Sequence, residues 1–224
     1  MMHISWHGHS CFIFETFSKH KLIIDPFIKD NPLSDLDINQ INVDYIVVTH
    51  AHNDHFGDTI ELAKITNASV ISTVEICQFL DRFDIDTIGM NIGGQAQFPF
   101  GSLKLTPAFH SSSLNYEGQT IELGLASGII LDDGYKKIYH AGDTALFSDM
   151  SLIAPVDCAL LPIGDHFTMG IEDAVKAVEF LKPKKVIPMH YNTFDLIKQN
   201  PYQFAEKVKN NIVYIPKIGE LVKI

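Results

Sequence analysis

Residues 49–55 read Thr49-His50-Ala51-His52-Asn53-Asp54-His55, which places three histidines and an aspartate in the spacing His-x-His-x-Asp-His. Imidazole and carboxylate are the donors that suit zinc and its neighbours. In extended backbone, residues two apart point the same way, so His50 and His52 face one point. Asp54 and His55 follow on a turn and face a second point nearby, so one short loop can serve two cations. Two cations need more donors than this loop supplies, and the chain offers three more in similar positions. His110 follows Leu103–Phe109, Asp143 lies just past Lys137-Ile138-Tyr139, and His190 follows Lys185–Met189. A carboxylate has two oxygens and can bridge two cations, which imidazole cannot, so Asp143 is the natural bridge. The competing reading of 49–55, a solvated polar loop that happens to hold histidines, leaves these three unexplained.

The elements that must position these donors are mostly strands. Short β-rich runs cover 3–7, 10–15 and 21–25, a loop follows at 30–34, and Tyr45–Val48 is an apolar strand suited to burial on both faces. A helix is expected over 57–66 and a weaker one over 74–82, and strands return over 95–140 with glycine turns at Gly101, Gly118 and Asp133-Gly134. The strongest helix is 171–181, where Ile171, Ala174, Val175, Val178 and Leu181 form one stripe and Lys182-Pro183 ends it. A last helix follows Pro201. The donor residues therefore stand just beyond the ends of four strands, where ligand sites of α/β folds gather. An α/β layered domain is expected, with sheet packed on sheet or sheet under helices. Nothing in the composition marks a linker, so residues 1–224 are expected to form one domain.

Composition narrows the function classes. The 224 residues are 46% hydrophobic and 20% charged, with 17 Lys and Arg against 27 Asp and Glu, a formal charge of −10. That balance argues against a general polyanion binder such as a nucleic-acid binder, or a membrane-surface protein, and leaves room for a small anionic substrate held at a local metal site. Three separated cysteines (Cys11, Cys77, Cys158) offer no CxxC and no disulfide framework, so a cytoplasmic location is expected. The first residues carry no leader pattern. The longest apolar stretch, Leu123–Leu131, falls far short of the roughly 20 residues a membrane helix needs.

Taken together, these motifs resemble the metallo-β-lactamase superfamily, within it a group of metal-dependent hydrolases similar to the L-ascorbate-6-phosphate lactonase branch. The resemblance rests on Trp6-His7-Gly8-His9-Ser10, Leu22–Phe27, Thr49–Gly57, Pro107–Ser112, Ala141–Thr144, Pro162–Asp165, Phe167–Gly170 and Pro188–Tyr191, in order along the whole chain. It implies a four-layer αβ/βα sandwich with a two-metal site between the sheets. It implies His50, His52 and His110 on one ion, Asp54, His55 and His190 on the other, and Asp143 bridging. Zinc is the first expectation, with Mn, Fe, Co and Ni as alternatives. Water held between two such ions is deprotonated near neutral pH and attacks a carbonyl or phosphorus centre, with Asp54 orienting the nucleophile and carrying the proton. The expected function is hydrolysis of a small ester, lactone or phosphodiester. The alternatives are a nuclease-type phosphodiesterase and a non-catalytic metal-binding module. Redox members of the fold carry a carboxylate at the position of His52 and a flavin domain, and this chain has neither.

Outside the ligand set, His9 is expected beside the site, facing substrate or a ligand. Asp25 is expected to bond a ligand histidine. His166 stands where relatives usually carry Asn and is a candidate site residue, and the 124–128 segment lacks the proline usual in relatives. Ser111–Ser113 are candidate donors to an oxyanion. His3 and His20 read as structural or solvated, His7 as a weaker site candidate than His9, and His140 as structural or as a partner of a site residue. A symmetric homo-oligomer is compatible with the composition.

Overall fold

The computed structural model describes all 224 residues. The chain begins with three short antiparallel strands, β1 (His3–Trp6), β2 (Phe12–Glu15) and β3 (Lys21–Ile24). Then come β4 (Tyr45–Val47), α1 (Asn53–Phe56), α2 (Thr59–Thr66), β5 (Ser69–Thr73), α3 (Val74–Leu80) and β6 (Thr87–Met90). With β15 (Val222–Lys223) they make a seven-stranded sheet in the order β15-β1-β2-β3-β4-β5-β6, parallel from β3 onward. The second sheet has six strands: β7 (Gln95–Phe98), β8 (Gly101–Pro107), β11 (Ser127–Asp132), β12 (Lys137–His140), β13 (Cys158–Pro162) and β14 (Lys185–Met189). A separate hairpin of β9 (Ser113–Tyr116) and β10 (Gln119–Glu122) lies between β8 and β11 in the chain. Helices α4 (Ile171–Leu181) and α5 (Pro201–Lys207) complete the αβ/βα sandwich.

The strand sequences explain the layers. Leu22, Ile24, Val47 and Ile71 point into the large core shared by both sheets, while Ile23, Ile46, Val48 and Val70 point to a second core under α2 and α3. This alternation in an almost wholly apolar run is what a strand covered on both faces requires. Pro188 sits within β14, which is at the sheet edge, where a missing N–H is tolerated. In α4, Ala174, Ala177, Val178 and Leu181 are buried, and Glu172 and Asp173 occupy the first turn.

Several boundaries depart from the sequence expectation for local reasons. The strand expected to reach Asp25 stops at Ile24, because Asp25 takes a left-handed conformation (φ 50°). The helix expected from Gly57 starts at Thr59. Gly57 closes the preceding turn at φ 45°, and a Cβ there would lie 2.4 Å from the Pro26 carbonyl. Asp58 accepts from the backbone N–H groups of Ile28 (3.0 Å) and Lys29 (2.9 Å), tying that turn to the loop after β3.

Strand directions decide where the chemistry goes. β1, β3 and β4 run the same way in one sheet; β8, β12 and β14 run the same way in the other. Beyond the carboxyl ends of these six strands come His9, Asp25, the 50–55 segment, His110, Asp143 and His190 respectively.

Candidate metal centre

The fold brings all seven expected ligand residues together. His50 Nε2 lies 3.0 Å from His52 Nδ1, and His110 Nε2 lies 3.2 Å from the same atom. Asp143 Oδ2 lies 2.9 Å from His190 Nε2, 3.3 Å from His55 Nε2 and 3.6 Å from His110 Nε2. The carboxylate therefore touches both halves of the cluster. Asp54 is grouped with His55, His190 and His9, whose donor atoms all lie within 4.8 Å of one another.

Hydrogen bonds around the cluster fix which nitrogens face inward. Thr49 Oγ1 donates to Asp25 Oδ2 (2.7 Å), so it is free only to accept from His50 Nδ1 (3.0 Å), leaving the His50 Nε2 lone pair bare. His55 Nδ1 donates to Asp25 Oδ2 (2.7 Å), which keeps the Nδ1 proton in place and turns Nε2 toward Asp143 (3.3 Å), where a cation would take its lone pair. The Thr49 amide donates to Asp25 Oδ1 (2.8 Å). Asp25 is thus fully engaged, which makes it the holder of His50 and His55 and not a ligand, although it lies within ligand distance of both. On the exposed side, Ser111 Oγ lies 3.2 Å from His52 Nε2. The first turn of the motif is further held by Asn53, whose side chain exchanges two hydrogen bonds with the Asn115 backbone of the hairpin (3.1 and 3.0 Å).

His9 is fully buried, with Nδ1 2.9 Å from Thr193 Oγ1 and Nε2 3.1 Å from Asp54 Oδ2. Burial, reinforced by His190, pushes its pKa down to about 4, so the ring is neutral at neutral pH. The Thr193 hydroxyl then donates to Nδ1, and the Nε2–H donates to Asp54. His9, Asp25 and His190 all sit at positive φ (54°, 50° and 55°), a conformation costing roughly 1–3 kcal/mol in a residue with a Cβ. The surroundings hold it: the His9 carbonyl accepts from the His190 N–H (3.0 Å) and from Trp6 Nε1 (2.9 Å). His140 braces the opposite side, with Nε2 donating to the Ser10 carbonyl (3.0 Å) and Nδ1 accepting the Gly142 N–H (3.1 Å) beside Asp143.

The charges oppose burial strongly. Burial penalises the Asp143 carboxylate, but His190 and His55 override it and hold the group well below its usual range. Burial lowers His55, yet Asp143 and Asp25 together raise it well above an ordinary histidine. His50 is pushed well down by burial and by His55.

The buried polar atoms fit a cation. Asp143 Oδ1, His55 Nε2 and His190 Nε2 are buried and lack a hydrogen-bond partner of good geometry, and such orphans are rare and costly. Nitrogens bound tetrahedrally to zinc at about 2.0–2.1 Å would stand about 3.3 Å apart. The two nitrogen–nitrogen spacings on His52 Nδ1, 3.0 and 3.2 Å, are close to that edge. The centre opens on a cavity of about 370 Å³ walled by His52, Asp54, His110, Asp143 and His190, with Ser111 and Phe167 completing it.

Residues 20–191 match the family described as "Beta-lactamase superfamily domain". The chain belongs to the metallo-β-lactamase superfamily. Its relatives place it in the branch of the UPF0173 metal-dependent hydrolases: one from Staphylococcus aureus (strain JH9) is 52% identical over 229 residues, covering 99% of this chain and all of that protein. Among solved structures, Igni18, a metallo hydrolase from the hyperthermophilic archaeon Ignicoccus hospitalis KIN4/I, superposes with a TM-score of 0.88 at 40% identity, covering 99% of this chain and 97% of its own. An isothiocyanate hydrolase from Delia radicum gut bacteria shares the fold at a TM-score of 0.77 and 15% identity, over 99% of this chain and 98% of its own.

Not every expected site residue joins the centre. His166 is exposed, makes no side-chain hydrogen bond and does not line the cavity; the wall position belongs to its neighbour Phe167. Asp165 and His166 both take positive φ (63° and 20°), and this turn carries Phe167 to the wall in place of His166. His7 lies apart from the centre, joined to Ser5 Oγ (2.8 Å) and Asp35 Oδ1 (2.6 Å), and ties β1 to the 31–35 loop. Ser112 supports the motif backbone, accepting the Ala51 N–H (3.1 Å). Thr193 and Thr49 were not singled out from sequence. Thr49 adjoins the histidine motif and was findable, whereas Thr193 meets His9 across 184 residues and carried no local signal.

Proposed function

We infer that this chain is a dinuclear metal-dependent hydrolase of a small ester, lactone or phosphodiester. The observation that carries the reading is the set of orphaned, inward-facing atoms on Asp143, His55 and His190, next to the three converging nitrogens of His50, His52 and His110. These residues and Asp54 would hold two divalent cations, zinc first, with Asp143 positioned to serve both. Bound there, such ions lower the pKa of water toward neutrality and polarise the oxygen that gains charge.

The protein's own groups do the rest. Asp54 lines the cavity with Oδ2 3.1 Å from His9 Nε2, which places its carboxylate to help hold a cation and to orient the attacking group there. His9 keeps Asp54 aimed, because the neutral ring donates from Nε2 and Thr193 fixes that tautomer. His9 is thus a positioning residue in this account. Ser111, on the cavity wall, stands beside His52 and is placed to donate to an oxygen of the substrate. No lysine or arginine lines the cavity, which favours a small substrate over a nucleic acid, whose phosphates need such partners. The test is hydrolysis of a panel of esters, lactones and phosphodiesters by metal-reconstituted protein. Turnover that disappears on chelation and returns on adding metal is expected; a fully metal-loaded protein inert on all three classes would contradict the reading.

A further inference from the structure

The walls of the cavity say something about the part of the substrate that does not react. Every ionisable group lining it belongs to the candidate metal centre; the remaining wall is Ser111 and Phe167. Phe167 is 50% exposed and is the one apolar side chain in the wall, so a ligand group that covers it removes apolar surface from water. It is also held firmly. Asp165 N–H donates to the Met169 carbonyl (3.0 Å), Thr168 N–H to the Asp165 carbonyl (2.6 Å), and Met169 N–H to the Thr144 carbonyl (3.0 Å), with the Met169 side chain fully buried. The ring thus stands at the tip of a strained turn anchored one residue past Asp143.

One further exposed ring adjoins the same centre, and a second stands on a neighbouring segment. Phe109, 63% exposed, hangs on the same segment: its N–H donates to Thr144 Oγ1 (3.0 Å) and its carbonyl accepts from Ala145 (3.3 Å). Phe194, 38% exposed, follows Thr193 and lies with its ring 5.5 Å from that of His9. Phe167 in the wall and Phe194 beside His9 therefore stand at the candidate metal centre, while the Phe109 ring packs on Phe147 (5.3 Å), and no lysine or arginine in the wall is available to a phosphate or carboxylate tail.

We propose that the substrate is an un-ionised ester or lactone whose leaving or acyl portion is an aryl or alkyl group, and that this group rests on Phe167. The inference deepens the metal-dependent hydrolase reading and rests on it. Phe167 is the principal specificity residue, and Phe194 extends the apolar surface on the His9 side.

The test uses calorimetric binding to the zinc-reconstituted protein, so it does not depend on finding the substrate. Three hydroxamates share one metal-binding head: acetohydroxamate, phenylacetohydroxamate and the carboxylate-bearing succinomonohydroxamate. The phenyl compound is expected to bind roughly tenfold tighter than acetohydroxamate, the gain from covering one aromatic face. The carboxylate compound is expected to gain nothing. In Phe167→Ala the phenyl-to-acetyl affinity ratio should fall to below about threefold, and Phe167→Leu should restore most of it, because the wall is again apolar. Failure of acetohydroxamate itself to bind overturns the metal-centre reading and this proposal with it. Binding of acetohydroxamate with no phenyl gain, or with a larger gain from the carboxylate, overturns only this proposal.

Discussion

Replacing Asp25 by Asn probes how the fold prepares its ligands. Asp25 is fully buried and accepts three hydrogen bonds, from the Thr49 N–H, the Thr49 hydroxyl and His55 Nδ1, at 2.7–2.8 Å. In Asp25→Asn one oxygen still accepts the Thr49 N–H, but the amide presents donors where two donors already point. The relief open to the site is for His55 to move its proton from Nδ1 to Nε2. That proton then occupies the nitrogen facing Asp143, 3.3 Å away, where a cation needs a lone pair. The expected loss is about 10–100-fold in metal affinity, or about 1.4–2.8 kcal/mol. A competition titration against a chromogenic chelator measures the affinity, and nitrogen NMR of the imidazoles reads the tautomer directly. Metal affinity within threefold of the parent, with His55 still protonated on Nδ1, would refute the reasoning.

Other outcomes follow from the same geometry. Thr193→Val removes the hydroxyl that fixes the His9 tautomer; turnover of a substrate found in the panel should fall about tenfold or more with metal content at the parent level, and a parallel loss of metal would show that His9 acts on binding instead. In the chelator-treated chain, His9, His50 and His140 are buried with lowered pKa values, so unfolding takes up protons once the pH falls below about 6.5. Stability should therefore drop as pH falls from 7 to 5, His9 alone contributing up to about 3 kcal/mol by pH 4. The raised pKa of His55 works the other way, giving stability below about 6.5 that is lost at higher pH. Urea midpoints across that window check the sum, and a midpoint that rises on acidification contradicts it. Gly57→Ala places a Cβ 2.4 Å from the Pro26 carbonyl at positive φ and should cost at least about 2 kcal/mol in denaturant melts; a cost below 0.5 kcal/mol, on the order of an ordinary surface change, would mean the turn after the motif is slack.

The candidate ligands were legible because their signals are local. A His-x-His-x-Asp-His run follows an apolar strand, and the other three donors each stand just past a strand-like run. The helix over Ile171–Leu181 was legible for a similar reason: its apolar stripe, acidic first turn and Lys182-Pro183 stop agree with one another. The fold class was read through the resemblance of motifs along the chain, and the two stacked sheets and flanking helices match it. What escaped reading depends on contacts between distant segments or on single backbone angles. The partnership of His9 with Thr193 joins two ends of the chain. The exchange of Phe167 for His166 at the wall is a matter of one residue, decided by left-handed angles at Asp165 and His166. Asp25 was read as a partner for a ligand histidine, and it does bond His55, but its simultaneous hold on His50 through Thr49 needed the folded loop.

The central claim is that these residues converge on two cations, and metal content per chain tests it most directly. Protein purified without added metal or chelator, then assayed by elemental analysis beside Asp143→Ala, should carry about two divalent ions per chain, and the variant, stripped of the carboxylate that touches both halves of the cluster, should carry fewer. One ion or none in the parent, even after reconstitution, would contradict the account.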